Sequence, residues 1–413
     1  MYATLSEHLT VSDTKRVLSL DGGGTRGILT IAFLKRIEQL LRDRSERGND
    51  FRLCDYFDLV GGTSVGSLLA TLIALGHSVA EIENMFRTWA PEIFRRPRVS
   101  IPGLSPRFST GALKKHAREV LRDRTLDSTD LRTSLAIIAK RVDTGSPWVL
   151  TNNPSSKYWD DPPDHSFMGN RHYRLADLVC ASTAAPYYFA PKRLRIVRRE
   201  RKNIKDQMGL FVDGGISPYN NPALMLLMLA SMNGYGYHWK LGADRLFIVS
   251  VGTGSYRMAV RPRFLLRRIP GYFAATSLQG LIGDSDTLSL TMLQWLSAPK
   301  SRWEINSEVG SLDGELFGFT DAAAENAFLS FVRYDARLEK KWLSEKLGSH
   351  FQRELDDDYI TSLQQFDRTD MIDELHRIGQ LCAKAQVTPD DFPGAFDIGP
   401  KSNPTKPSQA AES

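Results

Sequence analysis

At 413 residues, 42% hydrophobic and 24% charged, the chain is long enough for one large or two modest domains and has the make-up of a soluble globular protein. Its cysteines, Cys54, Cys180 and Cys382, are odd in number and far apart, which implies neither a disulfide framework nor a zinc cluster. The formal charge of +5 is mild but uneven: Arg95–Arg98 and the runs 193–205 and 257–268 are locally basic, and no nucleic-acid recognition motif accompanies them.

Met1–Lys15 has no apolar h-region of a signal peptide, and the longest apolar stretch, Pro222–Met232, is too short to span a bilayer. The expected setting is cytoplasmic, with membrane contact at most peripheral. In chain order, Val17–Leu20 reads as a short first strand running into Asp21-Gly22-Gly23-Gly24-Thr25-Arg26-Gly27. A helix follows, with Ile28, Ile31, Leu34, Ile37, Leu40 and Leu41 on one face. Tyr56–Val60 is a short apolar run with the aromatic and β-branched residues of a buried strand. It leads through Gly62-Thr63-Ser64-Val65-Gly66 into a Leu- and Ala-rich helix, Leu68–Leu75, that stops at Gly76. Strand, helix, strand implies two parallel strands covered by helices.

Further on, the pattern predicts helices over Val79–Phe94 and Gly111–Arg122, separated by a Pro-rich loop that mixes arginines with Val99, Ile101, Leu104 and Phe108. Strands are expected at Ser134–Ala139 and Trp148–Leu150, a loop over 152–169, and a helix at Leu175–Ala184 stopped by Pro186. A polar excursion, 199–207, precedes the strand Leu210–Val212, which delivers Asp213-Gly214-Gly215. A helix over Asn221–Met232 and a strongly apolar strand, Leu246–Val251, complete this part. From residue 256 the character changes to basic-aromatic sequence and helices at Phe273–Leu296, Asp335–Leu347 and Asp370–Lys384; Pro389–Ser413 reads as a flexible tail. No internal repeat is present. The expected organisation is an N-terminal arm over 1–14, a catalytic core over 15–255, a mainly helical extension over 256–388 packed on the core, and a tail over 389–413.

Three segments carry chemistry. Gly62-x-Ser64-x-Gly66 between a strand and a helix is the setting of a nucleophile elbow, in which a tight turn pushes the serine hydroxyl out at a helix N-terminus. A plain Gly/Ser turn is the alternative. Gly22-x-Gly24-x-x-Gly27 formally matches a dinucleotide-binding loop, but the second strand ends without the acidic residue that would hold a ribose. The same loop also reads as an oxyanion hole, with the N–H groups of Gly23, Gly24 and Thr25 converging on a developing negative charge. Arg26 is open to either an anchoring or a substrate-binding role.

A serine nucleophile needs a base. None of the eight histidines sits in a strand-end motif; His238 has the right chain order for a Ser…Asp…His triad but lies in a Gly/Tyr-rich loop stretch. Asp213 ends an apolar strand, so desolvation would make its carboxylate a stronger base. If β-strand C-termini share one edge, it can meet Ser64 there. A turn-forming Asp-Gly is the alternative.

Taken together and in this order, the Asp21–Gly27 loop, Gly62–Gly66, Ala181-Ser182-Thr183-Ala184-Ala185-Pro186 and Asp213-Gly214-Gly215 resemble the patatin-like phospholipase family over about residues 15–255. The resemblance implies a three-layer α/β/α hydrolase core with a mainly parallel central sheet and a C-terminal helical extension. It implies a lipid acyl hydrolase with Ser64 as nucleophile, Asp213 as general base, and Gly22, Gly23, Gly24, Thr25 and Arg26 in the oxyanion hole. Gly27, Gly62, Gly66, Gly214 and Gly215 support these motifs. No metal or organic cofactor is implied. Ser67 departs from the second glycine that many members carry, and is expected to tighten packing there.

A phospholipid membrane surface is then the expected partner, with the Arg95–Phe108 loop and the 257–272 stretch able to meet it; an ordinary solvated face remains the alternative for both. Bacterial members with an added helical part resemble cyclic-nucleotide-activated anti-phage effectors, which implies a cyclic-nucleotide activator and a homo-oligomer as further partners. Two other function classes stay open: an inactive interaction module on the same fold, and a nucleotide-binding enzyme using Gly22–Gly27.

Overall fold

The computed structural model of the chain describes residues 4–10, 14–45, 47–96, 106–197, 207–257, 270–299 and 326–398. Its elements in order are β1 (Lys15–Leu20), α1 (Gly27–Arg44), β2 (Leu59–Thr63), α2 (Val65–Ala74), α3 (Val79–Ile93), α4 (Thr110–Leu121), β3 (Ser134–Arg141) and β4 (Ser146–Thr151). Then come α5 (Leu175–Ser182), β5 (Lys192–Arg195), β6 (Met208–Asp213), α6 (Ala223–Ser231), β7 (Leu246–Val251), α7 (Pro270–Leu296), β8 (Ser297–Pro299) and β9 (Leu329–Tyr334). Helices α8 (Lys340–Leu347), α9 (Asp357–Gln364) and α10 (Ile372–Gln386) close the sequence.

The strands form one nine-stranded sheet in the order β5-β6-β3-β2-β1-β7-β9-β8, with β4 paired to β3. From β3 to β8 every neighbour is parallel; β4, β5 and β6 are joined antiparallel. Alternation along β1 explains the layers. Leu18 and Leu20 point into an apolar layer with α1, α2 and α10, and Val17 points into a second layer with α6 and the end of α7. The chain is thus a three-layer α/β/α structure around a mainly parallel sheet, as the family resemblance implies.

Four details differ from the sequence expectation. The Tyr56–Val60 run is not all strand: Leu53–Tyr56 is a helical turn, and the strand runs on to Thr63. Strand β6 is antiparallel to its neighbour, so a shared edge of parallel strands is not what brings Asp213 to Ser64. Instead β6 overlaps only the last three residues of β3 and runs back along it, which puts Asp213 opposite Ala139, next to the Ile138 that faces Thr63.

The expected helix Asp335–Leu347 is the third: Leu329–Tyr334 is a buried strand beside β7, and helix begins only at Lys340. Alternating Ser, Arg and apolar residues on a sheet buried on both faces hide this strand from a hydropathy pattern. Lastly, the start of the expected flexible tail is packed. Phe392 and Phe396 are buried against Phe247, because two aromatic side chains outweigh the polar residues around them.

Most of the Arg95–Phe108 loop, the end of the 193–205 run and nearly all of the 257–268 basic run lie outside the described residues. Among the described residues no helix is long and apolar enough to cross a membrane.

Candidate active site

Strand β2 ends at Thr63 and α2 begins at Val65, so Ser64 alone makes the turn. Its backbone sits at φ 54°, ψ −127°, a region that costs a side chain other than glycine's roughly 1–3 kcal/mol. Gly62 and Gly66 permit the close approach this turn needs: a Cβ on Gly62 would lie 2.1 Å from the Gly66 carbonyl oxygen, and one on Gly66 would lie 2.2 Å from that of Leu20.

Hydrogen bonds hold the strained turn. The Ser64 N–H donates to the Ser182 hydroxyl at 2.9 Å, and that hydroxyl donates to the Ile138 carbonyl at 2.6 Å. Ser182, from the Ala181–Pro186 motif, therefore ties the Ser64 turn to β3, the strand against which β6 places Asp213. Ser67, where the sequence departs from glycine, donates its hydroxyl to the Ser64 carbonyl at 2.6 Å.

The Ser64 hydroxyl donates to Asp213 Oδ2 at 2.6 Å, and the Gly215 N–H donates to Asp213 Oδ1 at 2.7 Å. Asp213 is 5% exposed. Burial pushes its carboxyl up to about 6 against the opposing pull of these two hydrogen bonds, and no cation is among the groups that bear on it. The pair is thus a hydroxyl in short contact with a desolvated carboxylate. His238 is exposed on a loop, and among the described residues no histidine lines the cavity that holds the pair.

Opposite Ser64 stands the glycine loop. Gly22 backs directly onto the serine: a Cβ there would be 3.1 Å from the Ser64 Cβ. The loop is held at every residue. Asp21 takes two hydrogen bonds from the Arg333 guanidinium, at 3.1 and 2.7 Å, and the same guanidinium bonds Asp335 and Ser250. The Gly22 N–H donates to the Asn220 carbonyl and its carbonyl accepts from the Thr253 hydroxyl. Asn220 is in turn fixed by Asp286 of α7, a half-buried carboxyl pushed up to about 6 by desolvation.

Arg26 bonds the Gly254 carbonyl at 3.0 Å and stacks over Tyr256, which makes it an anchor of the loop, while it also lines the cavity. Gly27 lies against Val65 and Phe86, and Gly214 against the Ile138 carbonyl, so each serves close packing.

Of the three amides expected to converge, one is taken. The Thr25 N–H donates to the Phe366 carbonyl at 2.8 Å. The Gly23 and Gly24 N–H groups find no acceptor among the described residues. The set of unoccupied amides is therefore smaller than the sequence suggests, because a loop some 340 positions away supplies an acceptor that no local pattern announces.

The pair and the loop open into a cavity of about 900 Å³. Its lining includes apolar side chains, among them Phe86, Trp89, Ile93, Phe94 and Phe189, and polar ones, among them Asp286, Arg333, Arg337 and Glu339. Sequence reasoning assigned no role to Ser182, Asn220, Asp286, Arg333 or Phe366. For Ser182 its place in the motif was the available signal; for the others the partners are distant in sequence.

A model of the Patatin-like phospholipase family matches residues 18–227. Among curated proteins, the chain is 31% identical over 258 residues to a cGAMP-activated phospholipase of Escherichia coli (strain TW11681), covering 61% of this chain and 66% of that protein. It is 33% identical over 227 residues to a cGAMP-activated phospholipase of Vibrio cholerae serotype O1, covering 53% and 58%. It is 29% identical over 279 residues to a cUMP-AMP-activated phospholipase of Escherichia coli, covering 68% and 76%. The chain thus spans under two thirds of the length of the first two of these relatives.

Proposed function

Because the chain belongs to the patatin-like phospholipase family, we propose that it hydrolyses acyl esters of membrane phospholipids through a Ser64–Asp213 dyad. The observation that carries this reading is the 2.6 Å contact between the Ser64 hydroxyl and a buried carboxyl that has no cation.

In the reaction so read, Asp213 accepts the hydroxyl proton as Ser64 Oγ attacks the ester carbonyl carbon. The carbonyl oxygen becomes an oxyanion and is held by the Gly23 and Gly24 amides, each such donor being worth about 3–4 kcal/mol in comparable sites. The intermediate collapses to an acyl-enzyme, and the proton on Asp213 passes to the departing lysolipid alkoxide. Water then gives its proton to Asp213 and attacks the acyl carbon; release of Ser64, reprotonated from Asp213, leaves a free fatty acid. The apolar residues that line the cavity suit an acyl chain and the polar ones a headgroup.

The names of the three relatives support a second, regulatory reading: a cyclic dinucleotide switches the enzyme on. The protein would then meet the bilayer peripherally.

Mixed liposomes incubated with the protein, with and without a panel of cyclic dinucleotides, test both readings by mass spectrometry of the lipid products. Fatty acid and lysolipid should appear, and Ser64→Ala and Asp213→Ala should each lose roughly 10⁴–10⁶-fold in rate. Wild-type turnover in either variant overturns the dyad. A high basal rate that no dinucleotide changes overturns the activation. Labelling of Ser64 by a fluorophosphonate separates the enzyme from an inert module on the same fold.

A further inference from the structure

Residues 365–368, between α9 and α10, press on the glycine loop from outside the family match. The Phe366 carbonyl accepts the Thr25 N–H at 2.8 Å. Gly24, at φ 60°, faces the same peptide so closely that a Cβ would lie 2.2 Å from the Phe366 carbonyl oxygen. Only glycine meets both conditions. The other side of this strap is fastened independently of the loop. The Phe366 ring packs on Tyr188 with centroids 4.3 Å apart, and Asp367, its side chain 6% exposed, pairs with Arg107 at 3.0 Å. Arg107 lies over the Tyr188 ring, and its N–H donates to the Tyr187 carbonyl. Gln364 ties the start of the strap to the Leu338 carbonyl at 2.7 Å.

We propose that Phe366 and Asp367 are positioning residues that hold the glycine loop in its working shape. The strap takes up the third amide, at Thr25, and leaves the Gly23 and Gly24 amides turned to the oxyanion position beside Ser64. The loop has no regular ladder of its own, so its shape depends on the partners that touch it. Arg333, Asn220 and Thr253 secure its first half, and the strap secures its second. A displacement of about 1 Å at such a loop costs about 10²-fold in rate, because the donors must meet the oxyanion and not the ground-state carbonyl. Asp367 touches neither Ser64 nor Asp213, so its effect passes through the loop.

This inference rests on the proposed esterase reading for its kinetic half, and the test separates the two. Wild type, Asp367→Ala, the milder Asp367→Asn and the double charge reversal Arg107→Asp/Asp367→Arg are compared for kcat and KM on a soluble short-chain ester. Hydrogen–deuterium exchange of the peptide 21–27 is followed in parallel, and thermal melting verifies folding. Loss of the pair should speed exchange of 21–27 and lower kcat about 10–100-fold with KM within twofold, while the charge reversal recovers much of both. Unchanged exchange in the folded single variants overturns the strap, as does faster exchange with kcat unaltered. A wild-type protein without esterase activity both alone and with each cyclic dinucleotide of the panel overturns the proposed function instead, and the exchange data still decide whether the strap holds the loop.

Discussion

Asp21 and Asp213 stand at the ends of strands in the same sheet, both precede two glycines, and both are buried, at 3% and 5% exposure. Their environments part them. Asp21 receives both ends of the Arg333 guanidinium, whereas Asp213 faces a hydroxyl and one backbone amide. Burial pushes both carboxyls up, Asp21 to about 7 and Asp213 to about 6, but both Asp21 oxygens are committed to the Arg333 guanidinium and so to holding the glycine loop. Asp213, with no cation beside it, has one oxygen on the Ser64 hydroxyl, which is what the proposed base requires. The same tripeptide anchors a loop in one place and meets a hydroxyl in the other, and the arginine beside the first makes the difference.

The largest expected effect that sharpens this contrast is on chemistry. Asp213→Asn should lower kcat/KM by roughly 10⁴-fold or more, since an amide accepts no proton. In the wild type, kcat/KM should rise with pH through about 6 and level off above it, because the base must be ionised. A pH profile flat from 4.5 to 8 would remove Asp213 from that role. Next comes stability at the other aspartate. Arg333→Met strands Asp21 and Asp335 without their buried partner and should cost about 3–5 kcal/mol in denaturant unfolding, with activity falling as the glycine loop loosens.

The third test runs the comparison backwards. Asp213 ionises less readily in the folded protein than in the unfolded chain, where its ordinary value is 3.8. Its stabilising contribution is thus complete below about 3.8 and is lost as pH rises through about 6, a loss of up to about 3 kcal/mol. Asp213→Asn removes that loss, so the inactive variant should melt above wild type at pH 8 and alongside it at pH 3.5. A variant less stable than wild type at pH 8 would contradict the picture of an uncompensated buried charge.

Smallest is Ser182→Ala, which takes the acceptor from the Ser64 N–H and leaves a buried donor unpaired. It should cost about 1–3 kcal/mol in stability. If Ser182 sets the Ser64–Asp213 spacing, kcat should drop about tenfold with KM unchanged, equivalent to about 1.4 kcal/mol of barrier. Stability lost with kcat intact would make it a packing residue only.

The meeting of Ser64 and Asp213 was legible because each sits where a strand hands over to a glycine turn, and a strand-to-helix turn around one serine has few geometries open to it. The parallel strand–helix–strand unit followed from apolar runs of strand length alternating with helical periodicity, and the three layers from the family resemblance. Less could be read where partners were remote. Leu329–Tyr334 carries Ser330 and Arg333 among its apolar residues, and Arg333 belongs in a buried strand only because Asp21 waits beside it. The Thr25 amide was expected in the oxyanion hole, and only the arrival of Phe366 shows that it is occupied.

Local sequence alone thus determined the strand–turn–helix that exposes Ser64, the glycines that let backbones touch around it, and the alternation that sorts β1 into two apolar layers. Tertiary structure decided which aspartate is paired with a cation, that β6 reaches β3 from the opposite direction, and which amides of the glycine loop stay unoccupied. The physical reason is range. Steric limits on φ and ψ and the period of a hydrophobic pattern act within a few residues, whereas desolvation, ion pairing and the satisfaction of a buried N–H depend on whatever the fold brings within a few ångströms.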